Sequence, residues 1–262
     1  MNSVATIQEI IEYRELVKNM VSRDLKIKYK DSILGYFWSL VNPLLMFGIY
    51  TVAFHYILKI QIEDFPLFFI IGFLPWSFVN ISLMTAVSSI VDNGNLVNKV
   101  YFPTEIIPLS IVLSSFVQFL LTFVVLFPVL FFLDRSFNLP AILTALPLLI
   151  FLQVLFVLGL ALFFSAVHVF FRDTKHFLEI FLTVWFFLSP IIYTLELVPE
   201  RVRGYFMLNP MALFLTAYRD ILMRAQFPDP LAFLEIMAFA VMSILIGWGT
   251  FSFFKAKFSE TV

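Results

Sequence analysis

The chain has 262 residues, of which 61% are hydrophobic and only 13% charged, with a formal net charge of −1. Soluble domains average about 45–50% apolar and about 25% charged residues, so a sphere in water has too little polar surface to cover this chain, and the bilayer is its solvent. The charge balance, with no basic domain, excludes nucleic-acid binding as a main task, and the lack of cysteine excludes disulfide scaffolds, thiol catalysis and cysteine metal sites.

The first 30 residues are polar, charged and amphipathic rather than leader-like, so the N-terminus is expected to stay on the chain. Residues 1–32 read as a cytoplasmic amphipathic interfacial segment. Thr6 and Glu9 stand at capping-box spacing. Ile7, Ile10, Ile11, Val17, Val21 and Leu25 gather on one side of a helical wheel, opposite Gln8, Glu12, Glu15, Asn19, Ser22 and Arg23. Such a helix lies in the membrane plane. Arg23, Lys26, Lys28 and Lys30 then form a basic cluster. It reads either as an anchor to anionic lipid or as a site that captures a phosphorylated headgroup.

Residues 33–262 read as a six-span permease domain in an all-α integral membrane fold. A span needs roughly 20 apolar residues. Continuous apolar runs, not alternating ones, occupy residues 33–58, 65–91, 106–133, 147–171, 177–195 and 231–254. Pro140 and Pro147 suggest a broken approach to the fourth span, with its helix starting near Pro147.

Between spans two and three, residues 92–105 read as a short helix capped by Asp92 or Asn93, carrying Leu96, Val97 and Val100 and ended by Pro103. An apolar patch on a short surface helix invites a protein partner, although a solvated turn fits the same residues. The connection 196–230 is too long and too apolar for a simple turn. Asn209-Pro210 splits it into two pieces, and Phe214, Tyr218 and Leu222 repeat every four residues in the second. Neither piece is long enough to span, so a helical hairpin lying on the outer leaflet or dipping into it is expected.

Six spans put both termini on one side. Eleven of the Lys and Arg fall on that side and six on the other, so both termini are expected in the cytoplasm.

The chemistry of an engine is missing. The sequence has no phosphate-binding loop, no H-E-x-x-H and no G-x-S-x-G, and the three histidines are scattered. Span interiors hold almost no ionisable groups, which argues against an ion-coupled carrier. Aromatic stripes remain. Phe177, Phe181, Trp185, Ser189 and Tyr193 recur every four residues in the fifth span. Phe69, Phe73, Trp76 and Asn80 do so approximately in the second, and Phe47, Tyr50 and Phe54 share a face in the first. Sugar C–H faces stack on such rings, so an aromatic-lined conduit suits a glycan; helix packing and interfacial belts account for the same spacing.

Several stretches resemble a known family: residues 23–30 (RDLKIKYK), 32–38 (SILGYFW), 42–44 (NPL), 95–103 (NLVNKVYFP) with Glu105, 171–173 (FRD), 189–193 (SPIIY) and 208–210 (LNP). Together, in this order, they are similar to the polysaccharide permeases of ATP-binding-cassette exporters, nearest the O-antigen branch, with teichoic-acid and capsule permeases sharing most of the motifs. The resemblance implies a homodimer joined by two cytoplasmic ATPase subunits that hold ATP and Mg²⁺, with no cofactor or catalytic residue in this chain. It implies a polyprenyl-diphosphate-linked glycan as cargo and the bacterial inner membrane as location.

On this resemblance Asn95, Leu96, Val97, Lys99 and Tyr101 belong to a coupling helix seated in the ATPase. Arg201, Arg203, Tyr218 and Arg219 belong to short outer gate helices. Trp185, Tyr193, Phe181, Ser189, Tyr50 and Trp76 are the candidate substrate path, and Arg23, Lys26, Lys28 and Lys30 the candidate headgroup site. A small-molecule or drug exporter of the same fold is the nearest rival. A polyprenyl-lipid membrane enzyme is a further one, but it would need clustered acids, bases or metal ligands.

Overall fold

The computed structural model describes residues 9, 12–28, 38–57, 62, 64–99, 102–132, 137–206 and 208–261. Among them are helices and no strands. Helix α1 (Arg14–Lys28) carries Glu15 in its first turn, where a negative charge suits the helix dipole. Its Met20 is buried, and Val17, Val21 and Leu25 line a shallow groove with Leu113, Phe116 and Val117 of the third long apolar run. The apolar face seen in the sequence is therefore partly spent on protein.

Helix α2 (Trp38–Tyr50) runs on into a π-helical stretch (Thr51–Ile57). Asp64 adopts a left-handed φ of 50° before α3 (Phe65–Ala86), and Pro66 in the first turn removes an N–H that would have no partner there. In place of the single span expected over 65–91, a turn at Val87 and Ser88 separates α3 from a short α4 (Ser89–Asp92). Then come α5 (Gly94–Lys99) and α6 (Ile106–Phe132).

Helix α7 (Leu139–Phe170) corrects the expected start near Pro147. The side chain of Asn138 accepts from the Ala141 amide at 3.2 Å, and Pro140 sits in the first turn. Both are helix-starting signals. Pro147 lies inside the continuous helix, as proline does in apolar helices whose neighbours hold the backbone.

Helix α8 (Thr174–Leu188) buries Leu178, Leu182 and Trp185 and exposes Phe177, Ile180, Phe181, Val184, Phe187 and Leu188. It stops before Ser189-Pro190 rather than reaching residue 195, because Pro190 has no amide to continue the ladder. After a 3₁₀ turn (Leu195–Leu197) follow α9 (Glu200–Phe206), α10 (Pro210–Leu222), α11 (Pro230–Phe254) and, beyond a second 3₁₀ turn, α12 (Phe258–Thr261).

Four helices among the described residues are long and apolar enough to cross a membrane: α3, α6, α7 and the α11 segment. Helices α7 and α11 share the most extensive contact. They meet backbone to backbone: a Cβ on Gly247 would collide with the Gly159 carbonyl, and one on Gly159 with the backbone of Ser243. The Ser243 hydroxyl donates to the Phe156 carbonyl at 2.7 Å across the same contact. Small residues and a hydroxyl bond are how apolar helices associate without a hydrophobic drive between them.

Helix α10, expected on the surface or dipping into the outer leaflet, is instead interior: all but its first residue and Thr216 are buried against α3, α7 and α11. A large apolar core fills the bundle. A smaller one, with Met20, Ile90, Phe102, Phe251 and Phe258, closes the end where α1, α5 and α12 meet.

Candidate functional site

The aromatic stripes come together. Trp76 and Trp185 meet edge-on with centroids 5.6 Å apart, and Phe181 and Phe156 flank Trp185 at 5.3 and 6.3 Å. Tyr50 joins through Phe69 at 4.8 Å and Phe186 at 6.4 Å, and Phe186 lies 5.8 Å from Trp76. The Trp185 indole N–H donates to Asn209 Oδ1 at 2.8 Å. The Asn209 amide donates to the Leu188 carbonyl and to Ser189 Oγ, and Ser189 Oγ donates to the Trp185 carbonyl at 2.8 Å. Tyr193 donates to the Phe187 carbonyl at 2.9 Å.

Trp76, Trp185 and Ser189 are thus buried within the chain. Phe181 is 49% exposed, and Tyr50 and Tyr193 are half-buried. An apolar groove of about 640 Å³ runs beside them, with Phe181, Trp185 and Asn209 on one wall and Gly159, Phe239 and Ser243 on the other.

The four expected gate residues divide. Arg201 is exposed, and Arg203 donates to the carbonyls of Glu196 and Val198 at 3.3 and 3.2 Å. The Glu196 carboxyl is held below its ordinary pKa by a hydrogen bond from Thr194 and one from its own backbone, with Arg224 and Arg203 adding smaller contributions. Tyr218 and Arg219, by contrast, are both buried. The Tyr218 hydroxyl donates to Gln153 Oε1 at 2.6 Å, and Gln153 donates to the Pro75 carbonyl at 3.0 Å. The Arg219 guanidinium lies 3.5 Å from the centroid of Phe68 and donates to the carbonyls of Phe68 and Ile191. Gly72 leaves room for it, since a Cβ there would stand 2.6 Å from Arg219 Nη2. Carbonyl dipoles and a ring face replace the water that a surface arginine would have.

At the other end of the bundle, Asn95 and Lys99 on α5 are exposed, while Leu96 and Val97 are half-buried against the smaller core. The apolar patch expected to await a partner is therefore covered in part by this chain's own tail. Tyr101 and Lys30 lie outside the described residues, Lys28 ends α1, and Lys26 is exposed. Arg23 donates to Asp24 Oδ1 from Nε and Nη2 at 3.2 and 3.1 Å and reaches Asn93 Oδ1 at 3.5 Å. Arg23 is thus held in an ion pair with Asp24 and directed at Asn93 in the α4–α5 junction.

Beside Arg23 opens a pocket of about 420 Å³ that sequence reasoning missed. Ser110, Ser114 and Gln118 line one wall at four-residue spacing, with Ser89 and Thr85 opposite. That spacing was the available signal. No three acidic or histidine side chains converge as a metal site among the described residues.

A family model described as ABC-2 type transporter matches residues 15–223. The chain is 31% identical over 261 residues to the O-antigen export system permease protein RfbA of Myxococcus xanthus, covering 98% of each chain. It is 31% identical over 247 residues to the protein of the same name from Klebsiella pneumoniae, covering 94% of each. Identity to the polysialic acid transport protein KpsM of Escherichia coli is 23% over 236 residues, 88% of this chain and 90% of that one.

Proposed function

The chain belongs to the ABC-2 type transporter family, and on that premise we propose that it is the membrane permease of an ATP-driven exporter carrying a lipid-linked polysaccharide of the O-antigen type across the bacterial inner membrane. The observation that carries this reading is near-full-length similarity at 31% identity to proteins named as O-antigen export permeases. The lower identity to the polysialic acid transporter makes a capsule-type glycan the second choice.

The working unit is a homodimer with two cytoplasmic ATPase subunits. ATP and Mg²⁺ belong to those subunits; this chain hydrolyses nothing and holds no cofactor. Helix α2 with its π-helical continuation and the short α8 complete six spans with the four long helices. The excess of Lys and Arg on the side of the termini supports a cytoplasmic location for both ends. The α1–α5 end then faces the ATPase, with Asn95 and Lys99 as contact groups, and α9, with Arg201 and Arg203, borders the outer exit. The path runs along Phe181, Tyr193 and Tyr50, with Trp185 and Trp76 as the rigid backing that holds those rings in place.

The test is depletion of the chain in its native host. Lipid-linked glycan should accumulate on the inner leaflet, surface glycan should fall, and re-expression should reverse both. Unchanged surface glycan on depletion refutes the reading.

A further inference from the structure

Resting on that reading, we propose that the pocket between α1, the α3–α4 junction and α6 is a sugar-binding site that takes a pyranose ring of a membrane-borne glycolipid. The lining sets the hydroxyls of Thr85, Ser89, Ser110, Ser114 and Ser115 beside the charged groups of Arg23, Asp24 and Asp92. The Ser89 Oγ is buried, lines the pocket and has no hydrogen-bond partner in the chain. A buried polar group without a partner is rare and costly, so it signals a ligand or ordered water. Ser110 and Ser114 spend their protons on the Ile107 and Ile111 carbonyls at 2.8 and 3.1 Å, which leaves their oxygens able to accept.

The charge of the lining decides which ligand fits. Among the lining residues one cation, Arg23, stands with two carboxylates, Asp24 and Asp92, and the Asn93 amide. Arg23 is already bonded to Asp24, and Asp92 accepts from Ser88 at 2.7 Å. A phosphate here would meet a net negative lining, so the pocket is a poor anion site, and the exposed Lys26 on the same helix as Arg23 is the better partner for a diphosphate. A sugar is uncharged, and each hydroxyl both donates and accepts. Carboxylate, amide and guanidinium groups side by side supply both halves of that exchange. Ile81, Ile107, Ile111 and Met20 add an apolar surface for the ring's C–H face. The pocket and Lys26 thus divide one headgroup: sugar inside, diphosphate outside.

The experiment measures binding of short polyprenyl-diphosphate N-acetylhexosamine to the purified chain in lipid nanodiscs, against the same lipid diphosphate without sugar, free hexosamine, and phosphatidylglycerol as a competing polyol lipid. The sugar-bearing lipid should bind about tenfold more tightly than the sugarless one, the scale of one additional buried hydrogen bond. Ser114→Leu, which fills the pocket, should erase that difference and leave the sugarless lipid's affinity unchanged. Ser89→Ala is the milder variant, expected to halve the advantage or more if Ser114→Leu fails to fold.

Equal binding with and without sugar overturns the proposal, as does displacement by phosphatidylglycerol or discrimination that survives a folded Ser114→Leu. The measurement needs no ATPase. Sugar-dependent binding with unchanged surface glycan on depletion would keep the pocket and lose the export reading; glycan export with sugar-blind binding would do the reverse.

Discussion

The burial of α10 inside the bundle rests on a polar relay that can be broken from either end. Tyr218 and Gln153 are both fully buried, and the chain of donors runs from the Tyr218 hydroxyl to Gln153 and from Gln153 to the Pro75 carbonyl, tying α10 to α7 and α7 to α3. Tyr218→Phe removes one donor and leaves Gln153 Oε1 without it. An orphaned buried acceptor costs about 1–3 kcal/mol in soluble proteins. Between membrane helices such bonds average about 0.6 kcal/mol and reach about 1.7, because the unfolded chain in lipid also finds partners, so about 1 kcal/mol is expected for this fully buried pair. Gln153→Leu strands both the tyrosine hydroxyl and the Pro75 carbonyl and should cost about 2 kcal/mol. The double variant strands only the carbonyl and should cost about 1 kcal/mol against a sum of about 3, so it should fall short of the sum by about 2 kcal/mol. The assay is reversible unfolding in mixed micelles followed by tryptophan fluorescence, with Trp76 and Trp185 in the same core as reporters. Strict additivity of the two substitutions would mean that the side chains do not interact, and the placement of α10 between α3 and α7 would be wrong.

Two further predictions concern the long helices and the tail. Gly247→Val should separate α7 from α11, since its Cβ would also lie 2.7 Å from the Gly159 carbonyl carbon, whereas Gly249→Ala meets open space; the first should lose about 1–3 kcal/mol or more, the second under about 0.5, by thermal unfolding in detergent. Lys255 Nζ lies 2.7 Å from Glu105 Oε1, with the Glu105 side chain 2% exposed. Lys255→Met should cost about 2–4 kcal/mol by leaving a buried carboxylate alone, and adding Glu105→Gln should recover most of it. Proteolysis of the tail after Phe254 reads both, and equal cleavage of single and double variants would refute the pairing.

The long helices are legible because length and apolarity suffice for them: α6 and α11 end within a residue or two of the apolar runs in the sequence. The errors come from proline and from polar residues. Pro147 reads as a break because in water an interior proline costs a hydrogen bond that nothing replaces. Inside a bundle the neighbours hold the backbone, and the capping side chain of Asn138 marks the true start. The continuous apolar run carries the fifth span past Leu188 to residue 195, although Pro190 interrupts it. Arg219 and Asp220 make α10 look like a surface helix. Nothing in the local sequence says that Phe68, Ile191 and Gly72, distant along the chain, will build a socket for the guanidinium.

The site shows where periodicity stops being informative. A stripe at four-residue spacing says that side chains share a face; it does not say what the face meets. For Trp185 it meets Trp76 and Asn209, so the most distinctive ring in the stripe is fastened inward, and the exposed members are Phe181 and Phe177, one and two turns earlier. The serine stripe on α6 has the same spacing as the aromatic one but far less visibility in a composition dominated by phenylalanine. Its meaning depends on two other elements, because Ser89 lies beyond a turn at the end of α3 and Arg23 lies on α1. A hydroxyl in an apolar helix ordinarily donates to its own backbone, as Ser110 and Ser114 do, and so attracts no notice. What separates Ser89 from them is the lack of any such bond. That property belongs to three-dimensional packing alone, and it turns an ordinary row of serines into a polar wall with one place left to fill.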